Sequence, residues 1–302
     1  MTRIALLTLE DRTGYVIDDA LAVVELRRRG FDTSEVPWSD ASVDWSTFDL
    51  VIVRTTWDYH VRAKEFLMAL ARIASSGTIL ENSRDLITWN LDKRYLRDLA
   101  ERGVPVVPCI WADDGTYVDF AALFDALRSR EIVVKPVVSA NALDTFRLQA
   151  PIDAAGLDEL SLTFAGRVWF AQPFVHSVLD DGEISVFYFD GLLSHAIRKV
   201  PKQGDFRVQE EHGGTIEPLR LSDEMRVTAD RVMQEVAPAP FQARVDLVRL
   251  HDGSWALMEL EMIEPSLYFR TDVRAAGNFA DAVERRLAAA RSSHAPAQHP
   301  ES

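Results

Sequence analysis

Only one cysteine, Cys109, occurs in 302 residues. No internal disulfide and no cysteine-ligated metal cluster can therefore form, which fits a reducing, cytoplasmic setting. Long apolar runs are also missing. None approaches the ~20 residues that a membrane span needs. The apolar start, Ile4 to Leu7, turns polar at Glu10-Asp11-Arg12 and reads as a first strand rather than a signal peptide. Basic residues are the minority, with 33 Lys plus Arg against 47 Asp plus Glu and a net charge of −14. Nucleic acid and membrane are thereby not expected as partners. An anionic ligand would need a pocket that gathers Lys and Arg locally. A glycine fingerprint is absent too: Glu10-Asp11-Arg12-Thr13-Gly14 follows the first strand where Gly-x-Gly-x-x-Gly would be required. That argues against a nicotinamide oxidoreductase.

What is present is a globular composition, 47% hydrophobic and 26% charged, sufficient for two or three modest domains. Ile4–Leu9, Leu50–Arg54 and the short Thr78–Leu80 read as strands. Asp18–Arg29 and Ala63–Ser75 read as helices stopped at Gly30 and Gly77. Their alternation predicts a parallel sheet with helical crossovers over residues 1–85. Leu91–Arg102 reads as one helix, and Val106–Trp111 and Ile132–Pro136 as strands flanking a helix over Phe120–Arg128. Beyond Arg167 come Val168–Gln172, Glu183–Phe189 and Leu192–Val200, the last two joined by the hairpin signal Asp190-Gly191. Ser222 is the candidate cap of helix Asp223–Val236 and Asn278 that of Phe279–Arg291. Residues 292–302 read as a disordered tail.

The most informative segment is the hairpin Ala243–Leu250 and Trp255–Glu261 around His251-Asp252-Gly253-Ser254. A two- or four-residue loop sets Asp246 opposite Glu259 and Arg244 opposite Glu261. Period-two alternation puts all four on one face and Val245, Leu247, Ala256, Met258 and Leu260 on the other. Opposed side chains have Cβ atoms about 4.5–5.5 Å apart, where like charges repel. A divalent cation would relieve that repulsion, and hard oxygen ligands suit Mg²⁺. The competing reading is an exposed polar face on which Arg244 screens the acids.

Arg244-x-Asp246 followed by Glu259-x-Glu261 and Pro265 resembles the ATP-grasp carboxylate–amine ligases. Their pattern is Arg-x-Asp, then Glu-x-Asn and a proline. The resemblance implies an α/β fold of ATP-grasp architecture, with a Rossmann-like parallel-sheet domain (1–85), a central ATP-grasp subdomain (86–172) and a C-terminal one carrying the metal site (173–291). It implies ATP and Mg²⁺ as cofactors, with Mn²⁺ as a substitute, and Asp246, Glu259 and Glu261 as metal ligands, the last replacing the family's Asn. Arg244 would stabilise the acyl-phosphate. Lys93 and Lys135 match the two ATP-binding lysines, Lys135 closing the apolar run Ile132-Val133-Val134. The loop after Lys135, Val137 to Ala142, lacks the family's glycines. Gln172, Phe174 and Val175 resemble the hinge that receives adenine, although the residues by themselves also fit an interior strand. Arg207, ahead of Gly213-Gly214, is carried over as an anion contact, and so is Lys199. Ser185 replaces an arginine of the family, so no ionic role is carried to Glu183.

For the acceptor, the strand ends offer Glu10 to Tyr15 and Arg54 to Tyr59, past the carboxyl ends of parallel strands. Arg54 would hold a carboxylate, Asp11 or Asp58 an ammonium group, and Trp57 lies beside them. Helix capping by Asp11, Thr13 or Asp58 explains the same residues. These segments also resemble the branch of the family that cyclises O-ureidoserine in cycloserine formation, which implies an amino-acid-like substrate and intramolecular ring closure. An intermolecular amino acid or peptide ligase and a non-catalytic nucleotide-binding regulator are the alternatives. A homodimer is left open.

Overall fold

A computed structural model describes residues 1–113, 119–139 and 143–293. The first sheet is parallel, in the order β2-β1-β3-β4, from β1 (Arg3–Thr8), β2 (Asp32–Pro37), β3 (Leu50–Thr55) and β4 (Ile79–Glu81). Helices α1 (Ala20–Arg28) and α2 (Ala63–Ser75) make its crossovers. β2 is a strand that sequence reading misses. It is a polar edge strand, Asp-Thr-Ser-Glu-Val-Pro, with one fully buried residue, so hydrophobicity does not announce it.

The expected helix Leu91–Arg102 shortens to Tyr95–Glu101, α4, and is preceded by a helix that sequence reading misses, α3 (Arg84–Leu91). The chain breaks at Asp92, whose carboxylate accepts from the Arg94 N–H, and Lys93 donates its N–H to the Val137 carbonyl. The break thus ties Lys93 to the next sheet. That sheet is antiparallel, β5-β8-β6-β7, from β5 (Ile110–Ala112), β6 (Glu131–Pro136), β7 (Phe146–Gln149) and β8 (Trp169–Pro173). It is flanked by α5 (Ala122–Ala126) and α6 (Ala154–Phe164). The strand expected over Val106–Trp111 shrinks to β5 because Pro105 and Pro108 have no N–H to give a ladder. Val106 forms only an isolated bridge with Leu257.

The third sheet, β11-β10-β9-β12-β13, is antiparallel. It comprises β9 (Glu183–Phe189), β10 (Leu192–Val200), β11 (Thr215–Pro218), β12 (Gln242–Arg249) and β13 (Trp255–Glu261), with α7 (Ser177–Asp180) and α8 (Asp223–Gln234) packed nearby. Asp190 and Gly191 both adopt positive φ, as the hairpin signal requires, and Ser222 Oγ accepts from the Met225 N–H. The last helix, α9, begins at Ala275 and runs to Ser293. Asn278 is therefore inside it, donating to Ser194 Oγ, and is not its cap. Of the expected tail, Ser292 and Ser293 are helical and 294–302 lie outside the described residues.

The outer sheets share a core. Ile4, Leu6, Leu50 and Ile52 of the first pack in one cluster with Phe187 and Phe189 of the third and with Phe279 and Val283 of α9. Asn82 pins the joint: its amide donates to the carbonyls of Gln242 and Met262, and its oxygen accepts from the Phe241 N–H. The parallel sheet is therefore seated against the C-terminal hairpin. Among the described residues no helix is long and apolar enough to cross a membrane.

Candidate active site

Strand register builds the site. Asp246 pairs directly with Glu259, and Arg244 with Glu261. On the other side of β12, Asp246 pairs with Ser185, and across β9 Lys199 pairs with Glu183. A bulge follows Asp246, so that Leu247 faces Leu257 and Arg249 faces Trp255. The hairpin loop is accordingly the three residues His251 to Gly253, with Gly253 at φ +87, and not the expected two or four. Met258 is the extra residue of the bulge. It leaves the core face where sequence reading put it and lines the main cavity, while Leu257 is fully buried.

Five acids and four cations meet at this face. Arg244 donates to both Asp246 and Glu261. Ser185 Oγ donates to Asp246 at 2.5 Å. Lys199 pairs with Glu183 at 2.5 Å and Asp246 at 3.4 Å, so Glu183 has an ionic role that sequence reading denied it. Lys93 donates to Glu259 at 2.6 Å and to the Ser139 carbonyl at 3.1 Å. Lys135, on β6, lies 5.1 Å from the centre of the Phe170 ring and has no carboxylate within ion-pair distance among the described residues.

The protonation states follow this pairing. Burial disfavours charge on Glu259, but Lys93 and Lys135 outweigh it and hold the carboxyl down at about 2. Burial also works against Lys199, yet Asp246 and Glu183 carry it up to about 12. Burial lowers Lys135, with Glu259 only partly restoring it. One guanidinium cannot neutralise two acids, and burial with neighbouring Glu259 and Asp246 pushes Glu261 up to about 7. Burial, then Glu261, pushes Glu264 up to about 8. Cys109 beside Gln172 is raised to about 11 by burial, so it is a neutral thiol and no nucleophile.

Most of the residues singled out from sequence line one cavity: Lys93, Lys135, Gln172, Phe174, Val175, Lys199, Arg207, Arg244, Glu259, Glu261 and Trp57. Several differ in detail from expectation. Asp246 is 1% exposed, behind Arg244, and is not a lining residue. The three expected metal ligands are interleaved with cations, and among the described residues no group of three carboxylate, His or Cys side chains stands assembled to hold a metal. Phe174 donates its N–H to the Glu131 carbonyl, so Val175 alone keeps a backbone donor for an adenine edge. Arg207 sits at the rim, paired with Asp205 at 2.8 Å.

The expected substrate residues divide. Trp57 reaches the cavity and donates its indole N–H to the Glu264 carbonyl. Arg54 does not: it is 1% exposed and donates to Gln242, Asp19 and the Pro265 carbonyl. It is a strut between the parallel sheet and the C-terminal loop. Asp11 accepts from the Thr13 N–H and Asp58 from the indole of Trp38, 20 residues earlier, and neither lines the cavity. No helix starts at Asp11 and Asp58 makes no side-chain cap bond to the turn it precedes, so the helix-capping reading fails for both as well. Tyr15 and Tyr59, which end the two expected acceptor segments, also line the cavity, whereas Met258 and Glu264 line it without having been singled out for the site. The acids of Glu259-x-Glu261-x-x-Glu264 were visible, but strand alternation ends at Glu261, and only the tertiary turn returns Glu264 to the cavity.

Comparison with known proteins finds relatives along most of the chain. Residues 4–82 match the N-terminal domain of D-cycloserine synthetase DcsG, and residues 120–241 match the ATP-grasp domain of prokaryotic glutathione synthetase. The cycloserine biosynthesis protein DcsG of Streptomyces lavendulae is 36% identical over 275 residues, 84% of this chain and 89% of that one. The crystal structure of D-cycloserine synthetase DcsG superposes with a TM-score of 0.82 at 32% identity, covering 94% of this chain and 99% of that one. A D-alanine–D-alanine ligase from Bacillus anthracis, complexed with ATP, shares the fold, with a TM-score of 0.68 at 15% identity over 98% of this chain and all of the other.

Proposed function

This chain belongs to the ATP-grasp ligases and is an ATP-dependent ligase, and on that footing we propose that its substrate is O-ureidoserine, closed intramolecularly to the cycloserine ring. In the first step a carboxylate oxygen of the substrate attacks the γ-phosphorus of ATP, the bond to the bridging oxygen breaks and ADP leaves. In the second, the nitrogen on the side-chain oxygen attacks the acyl-phosphate carbonyl. Phosphate departs with the carbonyl–oxygen electron pair, and the nitrogen's proton passes to it. The N-carbamoyl ring then loses its carbamoyl group to water.

The observation that carries the reading is Lys135. It is a half-buried ammonium in a cavity where the other cations are already paired. A buried charge without a partner is costly, and a phosphate supplies one. Lys93, bonded to both Glu259 and the Ser139 carbonyl, stands beside it. Arg244 has Nε and Nη2 committed to Asp246 and Glu261 and turns its remaining Nη1 donors to a phosphoryl group, and Ser185 and Lys199 hold its partner Asp246 in place from behind. Gln172 and Val175 would receive adenine at the far wall. ATP and Mg²⁺ belong to the fold. The donors fit the ion, since Mg²⁺ characteristically takes one or two carboxylates with the rest from phosphates and water. Glu259 and Glu261 reach the cavity and would hold it, and Asp246 joins them only if Arg244 releases it. When bound, the ion neutralises phosphate charge, which is most of what phosphoryl transfer asks of a protein.

Phosphate release from ATP and Mg²⁺ in the presence of O-ureidoserine, with the product's mass, tests the proposal. Phosphate release together with the mass of the ring product is expected. A condensed product from two amino acids would transfer the chain to intermolecular ligation, and ATP binding without release across an amino-acid panel would leave a regulator.

A further inference from the structure

The same cavity that holds an unpaired cation also holds an unpaired acid. Four carboxylates of Glu or Asp at half-buried or buried positions face or back it with a cation in contact: Glu183, Asp246, Glu259 and Glu261. Glu264 is 8% exposed and lines the cavity, yet no Lys, Arg or His lies within ion-pair distance of it among the described residues. Its main chain is fixed, since its carbonyl accepts the Trp57 indole N–H at 2.9 Å. Around it stand aromatic rings. Tyr15 and Trp57 lie with centroids 4.9 Å apart, and the buried Tyr59 lines the same cavity.

Resting on the reading given under Proposed function, we propose that Glu264, walled by Tyr15, Trp57 and Tyr59, is the seat of the substrate's ammonium group and selects substrates with a free amine. The chemistry is that of an amine site. Burial and Glu261 favour the neutral form of Glu264 while it stands alone; an ammonium group brought against it favours the ionised form and completes a charge-assisted hydrogen bond, and aromatic faces attract a cation at close range. The polarity of the cavity matches such a ligand. Lys135 and Arg244 take the phosphorylated end, and Glu264 takes the amine, on the wall formed by the loops that follow β1 and β3. Glu264 thereby fills the role that sequence reading gave to Asp11 or Asp58.

Steady-state kinetics of the full chain with ATP, Mg²⁺ and O-ureidoserine decide the matter. Glu264→Gln is expected to raise the KM for O-ureidoserine at least about thirtyfold, the order lost when one member of a desolvated charged pair is removed. Its kcat and KM for ATP should stay within about threefold. Glu264→Asp should recover part of the loss. N-acetyl-O-ureidoserine, which has no ammonium group, should be a poor substrate for the wild type and react equally poorly with the Gln variant. Unchanged KM in Glu264→Gln, or equal loss on the free and acetylated substrates, would overturn the ammonium assignment while leaving the ligase reading standing. A fall in kcat alone would move Glu264 to proton transfer and overturn it as well. A wild-type chain that binds ATP and releases no phosphate with any amino acid carboxylate would overturn both readings.

Discussion

At the residue scale the site is a problem in charge balance. The paired acids lean on few cations, Asp246 on Arg244 and Lys199 and Glu261 on Arg244, so removing a cation has a structural effect beyond any catalytic one. Arg244→Ala leaves Asp246 buried with only Ser185 and Lys199, and should lower unfolding stability by about 3 kcal/mol, measured by denaturant titration. Arg244→Lys retains the charge and loses the fork. It should cut kcat far more than ATP affinity, and equal losses in both would give Arg244 a nucleotide-binding role instead. Glu259→Gln should bring phosphate release down at least about a hundredfold, with an unchanged circular dichroism spectrum. Near-normal turnover in that variant would remove Glu259 from the metal-binding role.

At the element scale two irregularities shape the cavity. The bulge in β13 lets the hairpin add Met258 to the wall without moving Glu259 from its place opposite Asp246, because the ladder is regular on both sides of the inserted residue. Met258 packs beside the cluster that contains Val175 and Val178, near the expected adenine hinge. Met258→Ala should therefore raise the KM for ATP several-fold with little change in melting temperature. The second irregularity is the loop carrying Arg207. Gly213 sits at φ +84, and a Cβ on Gly214 would come 2.2 Å from the Val208 carbonyl oxygen. A side chain there must push the backbone aside. Gly214→Ala should displace the stretch from Phe206 to Gln209 that lines the cavity and lower kcat/KM for both substrates.

At the scale of the whole molecule, α1 and α9 tie the first sheet to the last. Arg29, just past the end of α1, bonds Glu25 on that helix and reaches Asp281, Glu284 and the Gly277 carbonyl on α9. The Arg28 and Arg29 guanidiniums hold the Glu25 carboxyl at about 2, below its ordinary 4.5. A depressed folded-state value means stability that is present above pH 4.5 and lost as the pH falls towards 2. Glu25→Gln should thus cost about 0.5–1 kcal/mol at pH 7, the range of surface ion pairs. The gap from wild type should narrow below pH 4.5. A denaturation series at pH 7 and pH 3.5 measures it, and a gap that widens with acid would mean that the pair does not support the joint.

The sequence alone carried whatever depends on neighbours along the chain. Alternation and the Asp-Gly turn put Arg244, Asp246, Glu259 and Glu261 on one face, and an apolar run ending in Lys135 marked a lysine in need of a partner. Both are local, because strand periodicity and the reluctance of lysine to be buried operate within a few residues. The tertiary structure alone decided who neutralises whom. Lys93 and Glu259 lie 166 residues apart, and Arg54 and Gln242 lie 188 apart. No pattern in sequence states that the first pair meets in the cavity while the second becomes a strut beneath it. The tertiary turn also brought Glu264 back to the cavity wall, since a residue beyond the end of a strand has no periodicity to say which way it points.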